Sequence, residues 1–179
     1  MSYTLVTGGS RGLGFECAKA LRALGRTALL VAKDEGRLKG AAAELDCEYR
    51  SVDLEDLGAA RETFTEILAS FGPPEALILA HGVMSEKFAK TLRTTNEEWR
   101  RVMSINLDSV FCAVNILGKP MADARSGRVI IFSACLGRMS GPGTAGGLAP
   151  YRVSKAGVNA LVRNLAHETS HGARGFLVD

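Results

Sequence analysis

Thr7-Gly8-Gly9-Ser10-Arg11-Gly12-Leu13-Gly14 decides the fold of this chain. An apolar run, Tyr3 to Thr7, leads into it, and an amphipathic run, Gly12 to Leu24, leads out. A strand, a glycine turn and a helix in that order bring free backbone N–H groups and the positive end of a helix dipole to one point. Gly8, Gly12 and Gly14 let the chain turn tightly and let an anion come close to the backbone. In this setting the turn reads as a pyrophosphate site of a dinucleotide, formed by Gly8, Ser10, Arg11, Gly12, Leu13 and Gly14.

Outward from the turn, strand-like and helical patterns keep alternating. Thr27 to Ala32 reads as a second strand, Glu35 to Leu45 as a helix with Asp34 as its N-cap, and Glu48 to Val52 as a third strand. Leu57, Phe64, Ile67, Leu68 and Phe71 recur at helical spacing until Gly72-Pro73-Pro74 stops them. Ala76 to Ala80 is a fourth strand, Asn96 to Leu117 a long helix and Arg128 to Phe132 a fifth strand. Tyr151 to Glu168 is a helix, and Gly175 to Val178 begins a sixth strand. Apolar strands separated by helices predict an α/β class, with a doubly wound parallel sheet (a Rossmann fold) as one domain over residues 1–179. The Gly-rich segment Ser140 to Pro150 is a candidate lid beside the site.

Composition is that of a globular protein, 46% hydrophobic and 23% charged, so a packed core is expected. The net charge of +3 comes from scattered Lys and Arg, which gives no reason to invoke nucleic acid or a membrane as partner. No apolar stretch is expected to reach bilayer-spanning length, and the N-terminus lacks the pattern of a secretory signal. Cys17, Cys47, Cys112 and Cys135 are far apart and form no C-x-x-C pair. They read as reduced thiols of a cytoplasmic protein.

Charge also bears on the choice of dinucleotide. An NAD site usually places an acidic residue at the end of the second strand to hold the ribose 2′-hydroxyl. Here that position is Ala32, Lys33 follows it, and Arg11 lies in the glycine turn. Both cations suit a 2′-phosphate, so the expected cofactor is NADP(H).

Further motifs extend the pattern: Asp53-Leu54 after the third strand, Ile105-Asn106-Leu107, and Tyr151-Arg152-Val153-Ser154-Lys155. With T-G-x-x-x-G-x-G, the set resembles the short-chain dehydrogenase/reductase family over the whole chain, in order. That resemblance implies a nicotinamide cofactor and hydride transfer between it and a small carbonyl or secondary alcohol substrate. It implies an adenine contact at Asp53 and Leu54, and cofactor contacts at Ala80 and Gly82. Lys155 is implied to bond the nicotinamide ribose, and Asn106 to hold a water that relays protons to Lys155. A homodimer or homotetramer through the 96–117 and 151–168 helices is implied as well. Physically, Tyr151 and Lys155 share a helix face at i and i+4. A free tyrosine has a pKa of about 10, and a nearby ammonium lowers it, suiting Tyr151 to proton transfer near neutrality.

Three departures from the family pattern stand out. The substrate-orienting serine falls at Ala134 in Ser133-Ala134-Cys135-Leu136-Gly137, leaving Ser133, one residue early, as a fourth catalytic candidate beside Tyr151, Lys155 and Asn106. The family's N-N-A-G reads Leu79-Ala80-His81-Gly82. The chain ends at Asp179, before the family's Pro-Gly turn, substrate-covering segment and seventh strand, and is expected to be a fragment of a longer protein. These departures keep a second reading in play, a dinucleotide-binding sensor or assembly partner with little turnover. His167-Glu168-Thr169-Ser170-His171 matches H-E-x-x-H, but no third ligand follows, so no metal is expected.

Overall fold

The computed structural model describes residues 2–85, 90–140, 146–173 and 175–179. Six parallel strands form one sheet: β1 (Thr4–Thr7), β2 (Ala28–Ala32), β3 (Glu48–Ser51), β4 (Ala76–Leu79), β5 (Gly127–Ile131) and β6 (Phe176–Val178). Their order across the sheet is β3-β2-β1-β4-β5-β6. Thr7 pairs with Val31 on one side and Leu79 on the other, so β1, β2 and β4 end level with one another. Five long helices cover the faces: α1 (Gly12–Ala23), α2 (Glu35–Leu45), α3 (Leu57–Phe71), α4 (Asn96–Asp123) and α5 (Ala149–Glu168). The doubly wound parallel architecture read from the sequence is the one observed.

The two core layers follow from the alternation of side chains along each strand. Leu5, Leu29, Leu77 and Val129 point to the α3, α4 and α5 side, against Phe64, Ile67 and Leu117. Val6, Leu30 and Ile78 point to the other side, against Ala18, Leu38 and Ala41. β1 is buried along its whole length. β3 is not: Glu48-Tyr49-Arg50-Ser51 is half-exposed, because it is an edge strand with one pairing partner.

Two helix boundaries differ from the sequence reading by more than one residue. α5 starts at Ala149, with Pro150 in its first turn, where a missing N–H costs nothing. Residues 141–145 of the candidate lid lie outside the described residues. α4 continues past Leu117 to Asp123 and contains two wide π turns, Ser104–Asp108 and Val114–Gly118. At 28 residues, with a mean hydropathy of 1.2 in its most apolar window, α4 is long and apolar enough to cross a membrane, contrary to the expectation that no stretch would be. Half of that window is buried within the protein, as in the core helix of a globular fold.

Candidate functional site

The glycine turn caps the C-terminal end of β1, where the strand order reverses between β1 and β4. A crevice outside the strand ends at such a reversal is the usual ligand site of an open α/β sheet. Gly8 has φ +68 and Gly12 φ +59, the left-handed region that favours glycine. A Cβ at Gly14 would overlap the Gly8 carbonyl oxygen, so the first turn of α1 sits directly on the loop. Arg11, the N-cap of α1, makes no side-chain capping bond. The first N–H groups of the helix therefore face the crevice.

The crevice encloses about 950 Å³ and is lined by most of the residues assigned to the cofactor from sequence: Gly8, Ser10, Arg11, Gly12, Leu13, Lys33, Asp53, Leu54, Ala80 and Gly82. Gly14 lies under the turn rather than on the lining. Arg37 is a lining cation that the sequence reading missed. Its signal was available: it stands three residues after Asp34, in the first turn of a helix that opens at the crevice.

Charges in this part of the crevice are arranged in pairs. The Lys33 Nζ lies 2.5 Å from the Asp53 Oδ2. That contact holds the ammonium above its usual pKa and, with the Glu55 N–H that Asp53 accepts, outweighs burial to hold the carboxyl below its own. Asp34 caps α2, as expected, by accepting the Arg37 N–H at 2.9 Å, and it also pairs with the Arg37 guanidinium at 3.2 Å. Three cations, Arg11, Lys33 and Arg37, thus face two carboxylates, and among the described residues Arg11 has no ion-pair partner.

Asn106, Tyr151 and Lys155, expected from sequence to carry the chemistry and, for the last two, to touch the cofactor, do not line the crevice. A Cβ on Gly82 would stand 3.3 Å from the Asn106 Oδ1 and 3.4 Å from the Lys155 Nζ, so both groups lie immediately behind that glycine. Asn106 is fully buried in the first π turn of α4. Its Oδ1 accepts the Val83 N–H at 2.8 Å, and its Nδ2 donates to the Val83 carbonyl at 2.9 Å and to the Ser154 Oγ at 3.1 Å. It therefore clamps the loop after β4 to α5. The Lys155 Nζ donates to the Phe132 carbonyl at 2.8 Å, and burial lowers its pKa.

Tyr151 sits one turn before Lys155, half-buried in the first turn of α5. The expected lowering of its pKa by Lys155 is not what the structure gives. Burial, then Cys135, raises the phenol above its ordinary value. The physical reason is that the lysine head is turned to Phe132. Ser133 is not part of the crevice lining, and its hydroxyl donates to the Lys155 carbonyl at 3.3 Å, which ties it to the α5 backbone. Ala134, at the family's serine position, is partly buried just before the short turn Cys135–Gly137. His81 lines the crevice with its side chain turned inward.

H-E-x-x-H does not lie on one helix. α5 ends at Glu168, and Ser170 and His171 have φ +58 and +50. The His171 Nε2 and His167 Nδ1 meet each other at 3.2 Å.

Against known proteins, residues 2–173 match the model of the short chain dehydrogenase family. The 3-oxoacyl-(acyl-carrier-protein) reductase MabA of Mycobacterium tuberculosis is 32% identical over 166 residues, 93% of this chain and 62% of that protein. The corresponding reductase FabG of Escherichia coli is 29% identical, over 98% of this chain and 69% of its own length. A metagenomic short-chain oxidoreductase solved in complex with NADP superposes with a TM-score of 0.87 at 26% identity, over 99% of this chain and 80% of the other. The chain thus spans just under two thirds of the length of MabA. The family model covers nearly the whole chain, and the chain belongs to the short-chain dehydrogenase family.

Proposed function

We propose that this chain forms the cofactor-binding and proton-transfer half of an NADP(H)-dependent oxidoreductase acting on a carbonyl or secondary alcohol. The observation that carries the proposal is a crevice lined by both the glycine turn and Gly82, with Asn106 and Lys155 immediately behind that glycine. The lining fits a dinucleotide. Gly8 and Gly12 keep the helix N-terminus open to a pyrophosphate, Asp53 and Leu54 flank the adenine end, and Ala80 and Gly82 leave room towards Lys155. The surplus cation, Arg11, favours a 2′-phosphate, and Ala32 offers no carboxylate against it. Bound there, the nicotinamide supplies or accepts the hydride. Tyr151 delivers or takes the proton at the substrate oxygen. Lys155 is positioned to steady the tyrosinate form once its head leaves Phe132, and Asn106 fixes the loop after β4. MabA and FabG, both 3-oxoacyl reductases by name, support a carbonyl substrate. The proposed setting is cytoplasmic, as a homodimer or homotetramer.

Calorimetric titration of the chain with NADPH and NADH tests the reading first. Binding with clear NADPH preference is expected, and NADH preference would overturn the charge argument. A second reading, a dinucleotide-binding protein with little turnover, is favoured by Ala134 and by the engaged Ser133 hydroxyl. NADPH oxidation against a panel of ketones and 3-oxoacyl thioesters separates the two. Tight binding without turnover on any of them would leave only the second.

A further inference from the structure

His81 is buried at the floor of the crevice, and both its ring nitrogens are engaged. Its Nδ1 lies 2.6 Å from the Thr7 Oγ1, and its Nε2 lies 2.8 Å from the Ser109 Oγ. Ser109 donates its own proton to the Ile105 carbonyl at 2.7 Å. A hydroxyl has one proton to give, so the Ser109 Oγ accepts from the ring, and the proton is on Nε2. The bare Nδ1 then accepts from Thr7. The Ile105 carbonyl also contacts the ring, and a carbonyl can only accept, which agrees with this assignment.

The result is a directed chain from Thr7 through His81 and Ser109 to Ile105. Each end matters for the site. Thr7 is the last residue of β1, immediately before the glycine turn, and Ile105 immediately precedes Asn106 in the π turn. The His81 backbone also packs under the turn, since a Cβ at Gly8 would stand 3.0 Å from the His81 Cα and N. One imidazole therefore spans the crevice floor, from the phosphate end to the Asn106 end.

We propose that His81 is a positioning residue of the dinucleotide site. As a neutral Nε2–H imidazole, it fixes the spacing between the glycine turn and the π turn that carries Asn106. This role rests on the dinucleotide reading above. The charged group facing the ring is Lys155, which opposes protonation from across the Gly82 loop. No other ionisable group acts on the ring among the described residues.

Two measurements on the full chain decide the role. In a long-range proton–nitrogen correlation spectrum, the His81 ring, identified by its loss in His81→Gln, is expected as the neutral Nε2–H tautomer at pH 7. An Nδ1–H tautomer or an imidazolium would overturn the wiring. In fluorescence titrations, His81→Ala is expected to weaken NADPH and NADH alike by about tenfold, and His81→Gln, which keeps a donor and an acceptor, to recover most of that loss. Thr7→Val, similar in volume but without the hydroxyl proton, serves as the second variant where His81→Ala does not fold, and is expected to weaken both dinucleotides several-fold. Unchanged affinity with only a lower melting temperature would make His81 a packing residue and sink the proposal. Wild-type chain that binds neither dinucleotide would instead overturn the functional reading, and this role with it.

Discussion

His81 stays neutral because burial first, and then the Lys155 ammonium, opposes its charging, bringing its pKa from 6.5 to about 4. Between those values the unfolded chain binds more protons at this residue than the folded one. Stability therefore falls as pH falls through that window and levels off below about pH 4. From pH 7 to pH 5 the loss from this residue is about 2 kcal/mol. Urea denaturation at both pH values, on wild type and His81→Gln, reads it as a smaller pH dependence in the variant. Equal dependence in the two would place the sensitivity elsewhere. Ala134 makes a second residue-scale case. A serine there adds a donor at the position where the family orients substrate. Ala134→Ser is expected to raise turnover of a ketone by about a hundredfold, with NADPH affinity unchanged. No gain would mean that the segment around Cys135 does not present residue 134 to the substrate. The glycine turn that lines the crevice was legible, and Asn106, Tyr151 and Lys155 could be singled out as candidates, because each lies in a short motif. The wiring of His81 was not, because its partners Thr7 and Ser109 are 74 and 28 residues away.

Helix α4 shows what an element can hide. Trp99 and Phe111 are twelve residues apart, which in a regular helix places them about 120° out of phase. The π turn at Ser104–Asp108 absorbs one extra residue and brings them within about 20°. Both are in fact outward, 37% and 51% exposed, while Val102 and Val114, also twelve apart, are both buried. Regular 3.6-residue spacing would therefore misassign faces beyond Asn106, although the helix itself was legible. The ends of β2 and β3 carry the cofactor-choice argument. Lys33 was read from sequence as a cation suited to a 2′-phosphate, yet Asp53 pairs with it, and Arg37 shares its charge with Asp34. Arg11→Ala is thus expected to weaken NADPH by about tenfold and to leave NADH nearly unchanged, with a smaller effect for Lys33→Ala. Titrations of both variants with both dinucleotides check this. A larger loss at Lys33 would show that the ion pair opens when a phosphate enters.

At the scale of the whole molecule, the strand order gathers most of the assigned cofactor groups beyond the C-terminal ends of β1 to β4, and large apolar side chains on α4 and α5 stay exposed. Gly157 in α5 lets Leu107 of α4 pack closely, since a Cβ there would stand 2.8 Å from the Leu107 Cδ2. The two helices thus pack side by side, with Trp99 and Phe111 of α4 and Val153 of α5, 43% exposed, among their exposed apolar residues. Large aromatics held in water on neighbouring positions favour burial against another surface. A two-fold axis across this helix pair would set it against its own copy, as an isologous contact requires. Sedimentation analysis of the wild-type chain is expected to show a dimer or tetramer, and Trp99→Glu with Phe111→Glu a monomer. Because neither Trp99 nor Phe111 lines the crevice, NADPH affinity is expected to stay within about twofold of wild type. Dissociation with loss of binding would mean that the partner copy supports the crevice. A wild-type monomer at every accessible concentration would mean that self-association does not cover this face.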